Sequence, residues 1–363
     1  MGGGLVLDKH QPPPAPREEV SVVTTDAAPS AAETLSRRRH SPAERVQHLL
    51  HSHPAISPAL ILVVSVIVFT SLAPNFGRPA NLSILVQQTA VVAALAVGQT
   101  LIILTAGIDL SVGAVAILST MVMATVAAEN GVPALPALLI GIVLGMAAGA
   151  VNGVLVTKVN LPPFIVTLGT LSIFTAIALL YSGGQSISAS RLPDLLNWTG
   201  TNISLGSLNI TTGVLVVLAL YIVVGFALSQ TAWGRHVYAV GDDAEAARLA
   251  GIRVSRVLFS VYAVAGLIYG IAAWVLIGRA ASASPNAITD ANLQSITAVV
   301  IGGTSLFGGR GGVLGTLLGA LIVQVFTSGL SIIGVNTQYR LLAVGVLVIL
   351  AVSVDQWIRK VKS

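Results

Sequence analysis

The chain has 363 residues, 54% of them hydrophobic and only 9% charged, with 36 glycines and no cysteine. A soluble domain carries about 25% charged residues, so much of this surface must face lipid, and the absent cysteines exclude a disulfide-stapled secreted fold and a zinc finger. The net charge of +5 comes from basic residues set singly between apolar runs, not from the stripe or arm that a nucleic-acid binder needs.

In chain order, residues 1–55 come first, rich in Pro, Ser, Ala and His, with six Lys/Arg balanced by six Asp/Glu. No run there reaches the apolar length of a core, so a disordered cytoplasmic tail is expected. Its apolar content begins too late for a cleaved signal peptide, and Met1-Gly2-Gly3-Gly4-Leu5-Val6 lacks the Ser/Thr of a myristoylation site. Residues 56–356 read as the transmembrane domain and residues 357–363 as a cytoplasmic C-terminal tail. A bilayer core of about 30 Å needs about 20 helical residues. Ten segments qualify: 56–73, 84–104, 112–128, 134–156, 164–181, 209–228, 257–278, 293–307, 312–333 and 338–356. The expected fold is an all-α polytopic membrane protein of about ten helices, some of them Gly-broken. With both termini inside, thirteen of the seventeen Lys/Arg from Arg37 onward fall on the inner side, Lys158, Arg235, Arg248, Arg253 and Arg256 among them. Only Arg78, Arg191, Arg279 and Arg340 fall outside, the asymmetry of the positive-inside rule.

Gly141, Gly145, Gly149 and Gly153 recur every fourth residue and line one helix face; Gly311, Gly315 and Gly319 repeat the device. Small residues let another helix approach closely where lipid supplies no hydrophobic drive between helices. Packing within one subunit and a seam between two copies both use such stripes. A local echo also links Gly107–Gly113 with Gly303–Gly309, and paired Gly-interrupted segments point to a transport pathway.

The longest inner loop, residues 229–256, contains Gly241-Asp242-Asp243, then Ala244-Glu245-Ala246-Ala247-Arg248-Leu249-Ala250, then Gly251. An aspartate N-cap, helix-favouring Ala and Leu, and a terminal glycine write a short helix outside the membrane. Too short to stand alone, it needs a docking surface. Glu245-Ala246-Ala247, with Gly251 after three residues, resembles the E-A-A-x-x-x-G loop of ATP-binding-cassette (ABC) importer permeases, without the downstream Ile-x-Leu-Pro of its long form. Gly107-Ile108-Asp109-Leu110-Ser111-Val112-Gly113, Pro162–Thr170, Gly234–Gly241, Gly302–Gly309 and the Gly311–Gly319 run are similar to the ribose/xylose/fructose-type branch. That resemblance implies a dimeric permease, a separate cytoplasmic ABC ATPase subunit docking on Asp242, Asp243, Glu245, Ala246, Ala247, Arg248 and Gly251, and an extracytoplasmic sugar-binding protein.

The residues agree on energy supply. None of Lys9, Lys158, Lys360 and Lys362 follows the G-x-x-x-x-G-K-[ST] pattern that cradles phosphates, so hydrolysis of ATP belongs to another chain. Ion-coupled carriers keep ionisable groups inside the membrane; here Asp109 stands alone. Three roles are open to it: capping the helix that starts near Ser111, accepting hydroxyl hydrogen bonds from a sugar, or stabilising a broken helix. Gln99, Thr100, Thr105, Asn152, Asn160, Thr167, Thr170 and Thr304 likewise divide between pathway contacts and interhelical bonds. No H-E-x-x-H occurs, and His236 has no visible partner, so no catalytic centre, metal or cofactor is expected. The expected function is the permease subunit of an ATP-driven monosaccharide importer in a bacterial cytoplasmic membrane, in contact with lipid and with a second copy of itself. The alternatives are the same architecture carrying a branched-chain amino acid or a furanose signal, or a self-sufficient secondary carrier.

Overall fold

The computed structural model describes residues 1–2, 56–288 and 290–360. The expected N-terminal tail, apart from its first two residues, and positions 361–363 therefore lie outside the described residues. All the described helices belong to the unit Gln47–Ser363.

The main helices are α1 (Ile56–Leu72), α2 (Pro79–Leu104), α3 (Val112–Ala128), α4 (Ala134–Thr157), α5 (Pro163–Ser182), α6 (Thr212–Gln230), α7 (Ala232–Asp242), α8 (Ala244–Leu249), α9 (Val254–Ala280), α10 (Ala291–Ile301), α11 (Val313–Ile332) and α12 (Thr337–Lys360). Proline opens α2 and α5 in the first turn, where its missing N–H costs no helical bond. Gly183, left-handed at φ +57°, closes α5. The α5–α6 connection holds a single helical turn at Asp194–Asn197 and a hairpin of β2 (Asn202–Leu205) with β3 (Leu208–Thr211). Its β1 (Ile187–Ser188) pairs antiparallel with β4 (Ser282–Ala283), and Trp198 stacks on Trp274 of α9 at 5.6 Å.

Ten helices answer to the ten expected segments, but among the described residues only six are long and apolar enough to cross a membrane alone: α2, α4, α5, α6, α9 and α11. The expected span at 293–307 is corrected. It is the 11-residue α10, ended at Gly302, and at 1.5 Å per residue it rises about 16 Å, half a bilayer core. Helix α3, with 17 residues, rises about 26 Å and is also short. The C-terminal helix continues to Lys360, into the segment expected as a tail.

The packing has a two-fold plan. In the first unit (α1–α5), α3 lies on α4 and α5; in the second (α6, α9–α12), α10 lies on α11 and α12. Across the units, α9 packs on α4 and α3, α2 packs on α11 and α10, and α2 and α9 lie against each other. Each unit contributes five helices, and the contacts of α2, α3 and α4 in the first are matched by those of α9, α10 and α11 in the second. The outer helices break the plan, α1 resting on α11 and α6 on α2. Helices α2 and α9 form the centre, α2 being buried without interruption from Thr89 to Leu104. Helices α1, α5 and α6 turn Leu60, Leu180 and Ile222 outward, as lipid-facing helices do.

The short helices α3 and α10 meet at their N-terminal ends: the Gly113 N–H donates to Asn292 Oδ1 at 2.9 Å. The amide oxygen thus sits between two positive dipole ends. The echo between residues 107–113 and 303–309 is corrected by this plan. The first segment precedes α3 and the second follows α10, so they do not occupy corresponding places in the two units.

Both glycine stripes serve close helix approach, each in its own way. A Cβ on Gly145 would lie 2.5 Å from Gly266 O, and one on Gly149 would lie 2.2 Å from Tyr262 O, so α4 and α9 touch backbone to backbone. Gly315 and Gly319 bring α11 equally close to Gly302 and Ala298 at the end of α10. Gly311 lies in the loop before α11, against Thr304.

Candidate functional site

The functional region is built from three pieces of chain: the break between α2 and α3, the loop between α10 and α11, and the elbow formed by α7 and α8.

The break begins where α2 runs out. Thr105 caps the helix, its hydroxyl donating to Ile102 O at 2.9 Å. Ala106 then turns into the left-handed region at φ +58°, costly for a residue with a Cβ. Asp109, only 1% exposed, accepts on Oδ1 from the Ser111 N–H at 2.7 Å and the Ser111 hydroxyl at 2.6 Å. Ser111, not Asp109, is the N-cap of α3; the aspartate fixes the turn leading into it. Asn152 of α4 donates to Ser111 Oγ at 2.9 Å, and Thr167 of α5 shares its hydroxyl between Ile108 O and Pro163 O, 3.0 Å each. Side chains therefore tie the break to two neighbouring helices.

Several buried polar groups remain uncommitted there. The Tyr262 and Tyr269 hydroxyls of α9 lie in the field of the Asp109 carboxylate; Tyr269 interacts with that carboxylate through its hydroxyl, and the Tyr262 hydroxyl has no hydrogen-bond partner. Asn152 Oδ1 and both amide ends of Gln99, which is fully buried, are also unpartnered. Next to Gln99, Gly98 makes room for the Tyr269 ring. An unpartnered amide or hydroxyl in an apolar setting costs several kcal/mol. No basic side chain balances Asp109, and among the described residues no cluster of His, Asp or Glu could hold a metal.

The loop between α10 and α11 is backbone-made. Gly303, Gly308, Gly309 and Gly311 all adopt positive φ. The Ser305 N–H donates to Arg310 O at 2.9 Å, and the Gly312 N–H to Thr304 Oγ1 at 3.3 Å. The Thr304 hydroxyl thus helps to close the loop.

The elbow lies beyond the end of α6. The sequence suggests one short helix in a loop; the structure has two helices in succession, because Thr231 caps α7 by accepting from the Gly234 N–H at 3.1 Å. Tyr238 of α7 donates to Gly311 O at 2.9 Å, and burial pushes its hydroxyl above the ordinary phenol value, keeping the proton in place. Asp242 ends α7. Asp243 caps α8, its Oδ1 accepting from the Glu245 and Ala246 N–H groups at 2.9 Å. Arg248 is paired with Glu245 on the exposed face, and Gly251 leaves the helix at φ +87°. Only Ala247 is buried; Glu245, Ala246, Arg248 and Leu249 project outward.

Three features escape the sequence reading. Leu249 is 79% exposed; its four-residue spacing from Glu245 puts it on the same helix face, a signal that was available. The roles of Tyr238 and Tyr262 depend on long-range partners and leave no local trace. Gly241 has a motif around it but no hint of what it touches.

Comparison with known proteins adds the family. The chain is 45% identical over 350 residues to the fructose import permease protein of Rhizobium meliloti, covering 95% of this chain and 97% of that one. It is 38% identical over 298 residues to the ribose import permease protein of Escherichia coli K12, covering 82% and 92%. A D-allose transport system permease protein of the same bacterium is 35% identical over 301 residues, covering 83% and 91%. No solved structure matches. A family described as the branched-chain amino acid transport system permease component matches residues 81–352, from the first turn of α2 into α12, and this chain belongs to that family of ABC transporter permeases.

Proposed function

We propose that this permease carries a monosaccharide across the bacterial cytoplasmic membrane as the spanning subunit of an importer driven by a separate ABC ATPase. The observation that carries the reading is α8: a six-residue helix, capped at both ends, offers Glu245, Arg248 and an exposed Leu249 to a partner. An exposed leucine on a helix this short favours a docking contact over a solvated loop. The cargo class follows from relatives named for fructose, ribose and D-allose import. It suits the uncharged donors and acceptors around Asp109, which match hydroxyl groups better than an ion.

The termini and α8 lie on the cytoplasmic side, where Lys158, Arg235, Arg248, Arg253 and Arg256 also fall, following the positive-inside rule. Two copies enclose the pathway, and a sugar-binding protein delivers cargo at the face carrying the β2–β3 hairpin. Gln99, Asp109, Asn152, Tyr262 and Tyr269 form the polar station inside; Thr105, Thr167 and Thr304 hold the backbone around it. The test is reconstitution in proteoliposomes with the ATPase and binding protein, measuring uptake of labelled fructose, ribose and allose. ATP-dependent uptake of one of them is expected, and Glu245→Lys with Leu249→Asp should strip the ATPase from the purified complex. Uptake by the permease alone under an ion gradient would overturn the reading in favour of a self-sufficient carrier.

A further inference from the structure

At the inner end of α7, three backbones come together with no side chain between them. A Cβ on Gly241 would lie 1.8 Å from Leu104 O, the last carbonyl of α2, and 2.7 Å from Gly309 N. That carbonyl accepts the Gly309 N–H at 3.0 Å. From the other side, a Cβ on Gly308 would lie 2.5 Å from Gly241 O and 2.9 Å from Ala106 N; one on Gly309 would lie 2.8 Å from the Asp242 Cα. Both of these glycines are left-handed, at φ +84° and +70°. Tyr238, one turn before Gly241, adds its bond to Gly311 O. The last turn of α7 therefore seats at once on the end of α2 and on the loop between α10 and α11. These are the two connections that adjoin the short helices α3 and α10.

The same turn is continuous with α8. Asp242 ends α7 and Asp243, whose N–H donates to Ala239 O at 3.2 Å, is the cap of α8. No loop separates the two. Helix α7 is also held at its other end, where Trp233 Nε1 donates to Ser260 Oγ of α9 at 2.8 Å. Side-chain contacts absorb a displacement by changing rotamer; a backbone-to-backbone seat cannot, and packed interfaces of this kind switch between arrangements rather than deform.

We infer that Gly241 and Tyr238 are positioning residues that convey a displacement of α8 to the α2–α3 break and the α10–α11 loop together, so that the connections of both units move as one. The inference rests on α8 being the attachment point of the ATPase, and it adds where the motion goes next.

The test uses the complete complex in proteoliposomes and reads sugar transported per ATP hydrolysed, a ratio that does not change when part of the protein is misfolded. Gly241→Ala is expected to lower it at least tenfold (the added methyl meets a carbonyl) while the ATPase still co-purifies. Tyr238→Phe, which keeps the ring and removes one hydrogen bond, is expected to lower it two- to fivefold. An unchanged ratio in Gly241→Ala overturns the inference. If that variant does not assemble, an unchanged ratio in Tyr238→Phe overturns it. Failure of the attachment reading looks different: there the ATPase stays bound to a Glu245→Lys, Leu249→Asp permease.

Discussion

The short helices α3 and α10 are started in different ways. The lead into α3 is held by side chains: Asp109 grips Ser111, Asn152 grips it from α4, and Thr167 reaches Ile108 from α5. At the start of α10, Asp290 makes no capping bond with its side chain, and the Asn292 carbonyl is given instead to Gly113 of the other unit. The loop beyond α10 is shaped by four left-handed glycines. One break is thus locked onto its own unit by hydrogen bonds that each cost free energy to leave unmade. The other is shaped by backbone and leans on its counterpart. The two breaks are therefore held unequally, one by side-chain bonds within its own unit and the other by backbone shape and a contact across units.

Substitutions can break or sharpen that contrast. The largest effect belongs to the seam across the units, where α4 meets α9. Gly149→Leu drives a side chain into the Tyr262 carbonyl and should leave no folded protein in detergent, whereas Gly77→Ala, whose nearest neighbour would be Thr70 Cγ2 at 3.5 Å, should melt within about 0.5 kcal/mol of the parent. Size-exclusion profiles and thermal melts separate the two.

Next comes the locked break. Asp109→Ala strands the Ser111 N–H and hydroxyl and should cost about 1–3 kcal/mol, with uptake abolished. Asp109→Asn keeps an acceptor oxygen and should retain most of that stability; equal melting of alanine variant and parent would mean the carboxylate does not hold the turn. A smaller loss, about 1 kcal/mol, is expected for Asn292→Ala, which removes the bridge between α3 and α10. Faster hydrogen exchange at Gly113 would report it locally, and unchanged exchange would contradict the bridge. The smallest effect lies outside the spans: Arg248→Ala breaks an exposed ion pair and should change stability by less than about 1 kcal/mol, although it should weaken ATPase co-purification.

Much of this architecture is legible in the sequence. Helix positions follow from apolar run length, and the caps of α8 from Asp243 and Gly251, because these are local free energies of solvation and of terminal N–H and C=O groups. The glycine stripe at 141–153 announces a close approach but not its partner, which is Gly266 and its neighbours in α9. Asp109 stands out as a lone carboxylate, yet neither the tyrosines beside it nor Asn152 has any spacing that points to it. Helix α7 escapes a sequence reading because its cap, Thr231, comes directly after a long apolar run and nothing there suggests a second start.

Lipid residence, helix-rich class and the short capped helix α8 were thus determined by the sequence alone, since hydrophobicity, capping and glycine content act over one to four residues. Only the tertiary structure decided that the 291–301 helix is half-length, that α3 and α10 meet through Gly113 and Asn292, and that Gly241 touches the end of α2. Those outcomes depend on backbones far apart in the chain fitting against one another, and shape complementarity at such distances has no periodicity to read.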